Sequence, residues 1–393
     1  MRAIVNSSTI RALNVIRVFH ALRANPGASQ RDLVWLTGLD KATTSVVVAQ
    51  LMADGLIVRG GRRREARVGR PESALSIAAD AGLLIGARLE PGIIRILAAT
   101  LAGTVVGRFQ IPGSRDIGQA LDHLRAGIEE AVAASAACGP LRGIGVGIPG
   151  LLDRTGRLVL APNLGWRDTP IQPLLREVLG APVFLDNDAV AAAIAEKLFG
   201  SCRDVDDYVC FTGHSGIGGG LYLGGRLYRG ASGFAGEVGH ITVVPDGRPC
   251  GCGKRGCLEG YASESAILAQ AAERGHPQSD LQSLARAAEA GDSVLVGLLD
   301  EVGGHLGLAI AQAANILDPG LVVLGGNLSL VATLILPALE ASLARNAMAP
   351  VAERVRIRLS PLGSDAVPMG GIALAMEGFL RAHTDMAHTL VQP

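Results

Sequence analysis

Residues 236–259 read GEVGHITVVPDGRPCGCGKRGCLE, and this stretch decides how the rest of the chain is read. Three of the six cysteines, Cys250, Cys252 and Cys257, fall within eight positions, and His240 stands ten positions before the first of them. A Cys-x-Cys-x4-Cys run with one imidazole supplies three thiolates and a nitrogen, a complete tetrahedral set for a structural Zn²⁺. Gly251, Gly253 and Gly256 allow the tight turns that bring such closely spaced ligands onto one ion. Buried free thiols are the plainer alternative, but small hydrophobic cysteines seldom gather in a polar loop of Gly, Lys and Arg. Two carboxylates flank the ligands, Glu237 before the histidine and Glu259 after the last cysteine. A metal that pins a loop between two carboxylates predicts a ligand pocket held rigid.

Around this stretch the chain is long, at 393 residues, which favours two or three domains over one core. Apolar residues make up 49% and charged ones only 18%, a composition suited to a compact α/β protein rather than a disordered one. The start of the chain lacks the apolar segment of a secretory signal, and no apolar run is read as long enough to span a membrane. The other cysteines, Cys138, Cys202 and Cys210, are scattered and read as buried thiols. Together with the metal-type spacing they predict a reducing, cytoplasmic setting.

The net charge of zero hides an asymmetry. Residues 1–79 carry twelve Lys and Arg against five Asp and Glu, a net +7, so the remainder carries −7. A basic head on an acidic body is the electrostatic footprint of a nucleic-acid-binding module. In that head, residues 14–24 place Val15, Ile16, Phe19 and Leu22 at helical spacing before Asn25-Pro26-Gly27 breaks the run. Ser29 is an N-cap for a second helix with Leu33, Val34 and Leu36 inward, closing at Gly38. Asp40 caps a third, residues 41–53, with Thr44, Val47, Val48 and Leu51 inward. Its outer face then carries Lys41, Ala42, Thr43, Ser45, Val46, Ala49 and Gln50. Two helices across a tight Gly turn, the second with a small polar outer face, form a helix-turn-helix that reads double-stranded DNA in the major groove. Residues 55–59 begin a strand, and Arg62, Arg63, Arg64 and Arg70 sit in the turn of a β-wing suited to phosphate contacts or minor-groove insertion. A helical cap with a solvated basic loop is the alternative; the joint occurrence of basic excess, Gly turn and Arg-rich hairpin speaks against it.

From residue 81 onward the pattern is α/β. Strands are predicted at 83–89, 93–101 and 107–111, a helix at 117–137 and a buried strand at 144–148. The order recurs with strands at 208–212 and 218–223, helices between about 263 and 317, a strand at 321–324 and a final helix near 370–384. This predicts two related α/β lobes with a cleft between them. The boundaries fall at 1–80 for the DNA-binding head, 81–185 with about 365–393 for the first lobe, and 186–364 for the second. Asn163, Asn187, Asp188, Glu237, His240 and Glu259 fall where such a cleft would lie. Singly each reads as a turn or cap residue; jointly they suit the paired hydrogen bonds of vicinal sugar hydroxyls.

The stretch 236–259, extended by Tyr261-Ala262-Ser263, resembles the signature of the ROK family of repressors, open reading frames and kinases. Asn187-Asp188-Ala189 and the run from Asn315-x-x-Asp318-Pro319 to Gly325-Gly326 match as well. Thr37-Gly38-Leu39, Asp54-Gly55-Leu56 and Gly69-Arg70-Pro71 resemble the winged helix of the family's repressor branch. The resemblance implies a two-lobed, sugar-kinase-like body of the actin/hexokinase type. It also implies sugar binding by Asn187, Asp188, Glu237, His240 and Glu259, with His240 ligating zinc through its other nitrogen beside Cys250, Cys252 and Cys257.

In the family's kinases the residue matching Asp188 is the general base, and a first-hairpin Asp-x-Gly-Gly-Thr cradles the nucleotide phosphates. Here the hairpin reads Arg88-Leu89-Glu90-Pro91-Gly92, placing a carboxylate and a proline where backbone amides should meet phosphate. The expectation is therefore a sugar-responsive repressor without enzymatic activity, a homodimer or dimer of dimers. Its partners would be operator DNA and a sugar or sugar-derived effector. A zinc-containing, ATP-dependent sugar kinase with a DNA-binding head stays open at this point, as does a body that recognises a protein partner.

Overall fold

The computed structural model describes residues 7–62 and 73–384. The chain begins with three helices, α1 (Ser7–Ala24), α2 (Gln30–Thr37) and α3 (Lys41–Ala53), followed by the antiparallel pair β1 (Ile57–Arg62) and β2 (Ser73–Ile77). Ser29 and Asp32 form a reciprocal capping box at the start of α2, and Gly38 ends it in the left-handed conformation. Asp40 caps α3 by accepting from the Thr43 backbone N–H at 2.9 Å. Thr44, Val47, Val48 and Leu51 are buried as the helical spacing predicts. Leu36 departs from its expected inward position: it is exposed, beside a Trp35 that is 83% exposed, while Thr37 takes the inner position. An eight-residue helix has only two turns, too few for the apolar period to separate its sides.

Next come β3 (Leu83–Leu89), β4 (Ile93–Thr100), β5 (Val105–Pro112), α4 (Ile117–Ala134) and β6 (Leu141–Ile148). A small antiparallel sheet follows, β7 (Leu151–Leu152), β8 (Leu158–Ala161) and β9 (Trp166–Thr169), which the sequence reading did not anticipate. Then α5 (Ile171–Leu179), β10 (Val183–Asn187) and α6 (Asp188–Leu198) lead to β11 (Tyr208–Gly213), β12 (Ile217–Leu223) and β13 (Arg226–Tyr228). Helices α7 (Glu259–Ala262), α8 (Glu264–Glu273), α9 (Leu281–Glu289) and α10 (Ser293–Leu317) precede β14 (Leu321–Gly326). The chain closes through α11 (Ala332–Asn346), α12 (Ala349–Ala352), β15 (Arg356–Leu359) and α13 (Ala366–His383).

The strands form two five-stranded sheets of identical plan. The first runs β10-β6-β3-β4-β5 and the second β15-β14-β11-β12-β13, each with its first three strands parallel and its last two antiparallel. All seven residues of β3 are buried, as a central strand covered on both faces requires, whereas β5 alternates between half-buried and exposed residues as an edge strand does. Helices α6 and α13 pack on each other, α13 against the first sheet and α6 against β12 of the second. Contact between α13 and its sheet is close enough that a Cβ on Gly145 would strike the Gly371 carbonyl.

Helix α10 corrects one expectation. It is 25 residues long with a mean hydropathy of 1.5 over its most apolar window, enough by length and composition to cross a membrane. Its apolar character follows from its place: Leu298, Leu306 and Ile310 lie in the core of the second half, and 56% of that window is buried.

The three-helix head is joined to the body by a shared core. Phe19, Leu22, Leu33 and Leu51 lie in one apolar cluster with Leu84, Leu97, Ile372, Met376 and Leu380. Polar contacts fasten the seam. The Arg23 guanidinium donates to the Leu198 carbonyl at 2.9 Å and lies 4.9 Å from the centre of the Phe199 ring. His20 Nε2 meets Glu377 Oε1 at 2.7 Å, and His383 Nε2 meets Asp54 Oδ2 at 2.9 Å.

Candidate functional site

Three thiols and an imidazole converge. The ligand atoms of His240, Cys250, Cys252 and Cys257 all lie within 4.8 Å of one another. Cys250 Sγ is 3.6 Å from His240 Nδ1, and the Sγ atoms of Cys252 and Cys257 are 3.8 Å apart. Tetrahedral ligands at Zn–S and Zn–N bonds of about 2.3 and 2.0 Å stand roughly 3.5–3.8 Å from each other, so the donor set fits a metal ion of that geometry. Local pairing builds it: Thr242 bridges to Cys257 and Pro249 to Arg255, folding the loop back on itself. The Tyr261 hydroxyl accepts from the Arg248 N–H at 2.8 Å and its ring lies 4.7 Å from that of His305, so the loop is braced from below.

His240 reaches the thiols through Nδ1, which leaves Nε2 facing Glu237 Oε2 at 3.7 Å. Glu237 is pushed up to about 7 by burial and then by the nearby charges of Asp188 and Glu259. Glu237 thus has two further carboxylates as neighbours, Asp188 from the start of α6 and Glu259 from the start of α7. Glu259 is oriented by the Ile217 N–H, which donates to Oε2 at 3.0 Å. Asn163 sits opposite, its Nδ2 3.5 Å from Ser215 Oγ. Gly216 brings the two together: a Cβ there would press on Glu259 Oε2 and lie 3.4 Å from Asn163 Nδ2.

Asn187 is spent differently. Its Oδ1 caps α6, accepting from Ala189 and Val190 N–H at 2.9 and 3.2 Å, and its Nδ2 donates to the Gly150 carbonyl at 2.9 Å. One amide N–H is left for a ligand. Asp188, the first residue of α6, turns Oδ2 toward Arg88 Nη2 at 3.6 Å; the same Nη2 meets Glu90 Oε1 at 2.8 Å. Arg88 and Glu90 were read only as departures from a phosphate loop and Asp188 as a sugar-binding residue, since nothing local in the sequence links position 88 to position 188. Asp186 on β10 takes a two-pronged pair from Arg229, with Nη1 to Oδ1 at 2.8 Å, tying the loop after β13 to the first sheet. That clasp too has no local signal.

The outer face of α3 presents Lys41, Ala42, Ser45 and an exposed Val46. Thr43 is half-buried, with its hydroxyl donating to Asp40 at 2.5 Å, and Gln50 Oε1 accepts from Arg11 Nε and Nη2 at 3.2 and 2.9 Å. These two groups are therefore committed to the head itself, and Gln50 offers outward only its amide N–H groups. Between α2, α3 and the β1–β2 pair lies a cleft of about 580 Å³ lined in part by Arg31, Lys41, Ser45 and Arg59. Arg62 ends β1, while Arg63, Arg64 and Arg70 lie outside the described residues.

Known proteins share both halves of this arrangement. The ROK family profile matches residues 93–377 and the MarR family profile residues 12–70. A putative xylose repressor of Caldicellulosiruptor sp. (strain Rt8B.4) is 30% identical over 392 residues, covering 95% of this chain and 98% of that protein. A glucokinase of Halalkalibacterium halodurans is 34% identical over 303 residues, covering 71% of this chain and 90% of the enzyme. The crystal structure of a ROK family transcriptional regulator described as a homolog of the E. coli MLC protein superposes with a TM-score of 0.80. It is 28% identical and covers 98% of this chain and all of that one.

Proposed function

This chain belongs to the ROK family, and from that premise we propose that it is a sugar-responsive transcriptional repressor. The observation that carries the reading is the joining, in one chain, of a MarR-type winged helix to a complete ROK body. The putative xylose repressor covers 95% of this chain, while the glucokinase covers 71% of it. The head binds operator DNA through Lys41, Ala42, Ser45 and Val46, with Thr43 and Gln50 contributing less, and through the wing arginines Arg62, Arg63, Arg64 and Arg70. A neutral polyhydroxyl ligand binds in the cleft, where Asn163, Asp188, Glu237, His240 and Glu259 accept or donate to its hydroxyls and Asn187 supplies its one free N–H. An acid-rich wall suits hydroxyl donors better than an anion.

His240, Cys250, Cys252 and Cys257 would hold Zn²⁺, which would supply rigidity to this wall, and His240 turns Nδ1 to the thiols and Nε2 toward the sugar. The body acts as a sensor rather than a kinase. Glu90 and Arg88 occupy the hairpin that would otherwise cradle phosphate, and Arg88 faces Asp188, the candidate base. Sugar binding changes the angle between the two sheets and so the spacing of two heads in a homodimer or dimer of dimers, in the cytoplasm. The ligand drives this only by binding one arrangement more tightly than the other.

The glucokinase relative favours a second reading, residual kinase activity. A coupled ATP assay with D-glucose and D-xylose, run beside calorimetry of the same sugars, separates the two. Heat of binding without ATP turnover is expected; turnover that Asp188→Asn abolishes contradicts the sensor reading.

A further inference from the structure

Arg88 is buried to 2% exposure on β3, an unusual place for a guanidinium. The described residues hold four buried side-chain polar atoms without a hydrogen-bond partner, Arg88 Nε, Thr212 Oγ1 and both ring nitrogens of His214. Arg88 and His214 are electrostatic neighbours, since the Arg88 charge helps hold the buried imidazole well below its ordinary value after burial itself. Directly across the β3–β4 ladder from Arg88 stands Arg95, a like charge. A cation in such surroundings persists only if carboxylates face it, and Glu90 at 2.8 Å and Asp188 at 3.6 Å are those carboxylates.

We propose that Arg88 is a positioning residue for the effector: paired with Asp188, it favours the ionised, hydroxyl-accepting form of that carboxylate and keeps it from working as a proton acceptor. The proposal rests on the sugar-sensing reading and deepens it. Asp188 is faced by Arg88 from β3, by Glu90 from the turn after it, and by Glu237 from the loop before His240; Arg88 also faces Glu264 at the start of α8. Burial raises the Asp188 carboxyl above its ordinary range even with Arg88 beside it, and the Arg88 charge is the chief influence in the opposite direction. Without Arg88, Asp188 would sit buried between two like charges, Glu90 and Glu237, and take up a proton. A protonated carboxyl presents an O–H where a sugar hydroxyl expects an acceptor. The single guanidinium therefore explains how the chain keeps Asp188 for recognition while giving up its use as a base.

The test is calorimetry of D-xylose and D-glucose on the full chain, wild type against Arg88→Met and Arg88→Lys, at about pH 8 and about pH 6. A merely structural loss scales affinity equally at both. The proposal expects Arg88→Met within about threefold of wild type at the higher pH and weaker by roughly tenfold or more at the lower, one pKa unit corresponding to a tenfold change. Arg88→Lys, which keeps the charge, should stay within about threefold at both, and it carries the test alone if the Met variant does not fold. An equal loss at the two pH values, or a Lys variant weakened roughly tenfold at the lower pH, overturns the role of Arg88 while leaving sugar sensing intact. Absence of binding by the wild type to either sugar overturns the sensing reading and this inference with it.

Discussion

His240 has two neighbours with opposite demands. Its Nδ1 lies among thiols and its Nε2 faces a carboxylate, so whatever fixes the first nitrogen aims the second. Cys252 offers a way to test this, because it belongs to the converging ligand set and is not one of the candidate sugar-binding residues. Cys252→Ser should lower metal retention by at least about tenfold and weaken sugar binding as well. A full zinc complement by elemental analysis in that variant would show that the ligand set is drawn wrongly. The His/Cys3 cluster was legible because its spacing is local and few chemistries other than metal binding use it. Arg88 with Asp188, Asp186 with Arg229, and Arg11 with Gln50 were not, because each pair joins positions brought together only by the folded topology. Asn187 shows a third case: it was read as a sugar-binding residue, and a cap at the start of α6 together with the Gly150 carbonyl uses most of its hydrogen-bonding capacity.

Helix α6 spans the distance between sensing and DNA binding. Its first residue is Asp188 in the cleft, and near its end the Leu198 carbonyl receives Arg23 from α1 of the head. Helix α13 packs along it and carries Glu377 to His20 and His383 to Asp54. Replacing Arg23 and His20 together with Ala should leave sugar affinity within about twofold, since neither lines the cleft, yet reduce the effect of sugar on DNA binding. Fluorescence anisotropy with and without sugar reads this directly, and an undiminished sugar effect would mean the signal passes elsewhere. The same seam gives a pH dependence. Burial tends to raise Glu377, but the His20 hydrogen bond and the charges of His20, Arg381 and Arg23 outweigh it, and the carboxyl lies below its ordinary range. Its contribution is then present above the unfolded carboxylate pKa and lost as pH falls through the lower folded value. Glu377→Gln should cost on the order of 1 kcal/mol near neutrality and flatten the acid-side fall in Tm. A Tm profile parallel to wild type down to about pH 3 would remove Glu377 from the seam. At this scale the helical period was a good guide where helices were long enough to have sides, as in α3, and a poor one for the two turns of α2.

The whole molecule repeats one sheet plan twice, hangs a basic head on the first copy, and places the candidate site where the halves meet. The loop of residues 251–253 lies against the β8–β9 turn, so the cysteine-bearing loop of the second half meets the hairpin that carries Asn163 in the first. Periodicity and strand order made the duplicated architecture readable, while the small β7–β9 sheet escaped because strands of two to four residues carry too little pattern. The charge asymmetry predicts a salt-dependent DNA affinity. Replacing Arg62, Arg63 and Arg64 with Ala should weaken binding and reduce the slope of log affinity against log salt by about 0.9 for each phosphate contact removed. An unchanged slope would mean that the wing does not touch phosphate. The central claim is that sugar in the body controls DNA at the head, without chemistry. The direct measurement takes a duplex selected from a random pool by the purified chain, then titrates D-xylose and D-glucose into the complex with ATP consumption followed in parallel. Release of DNA at sugar concentrations that saturate the cleft, with no ATP consumed, is the predicted result. Sugar that binds without altering DNA affinity, or that is phosphorylated, would contradict it.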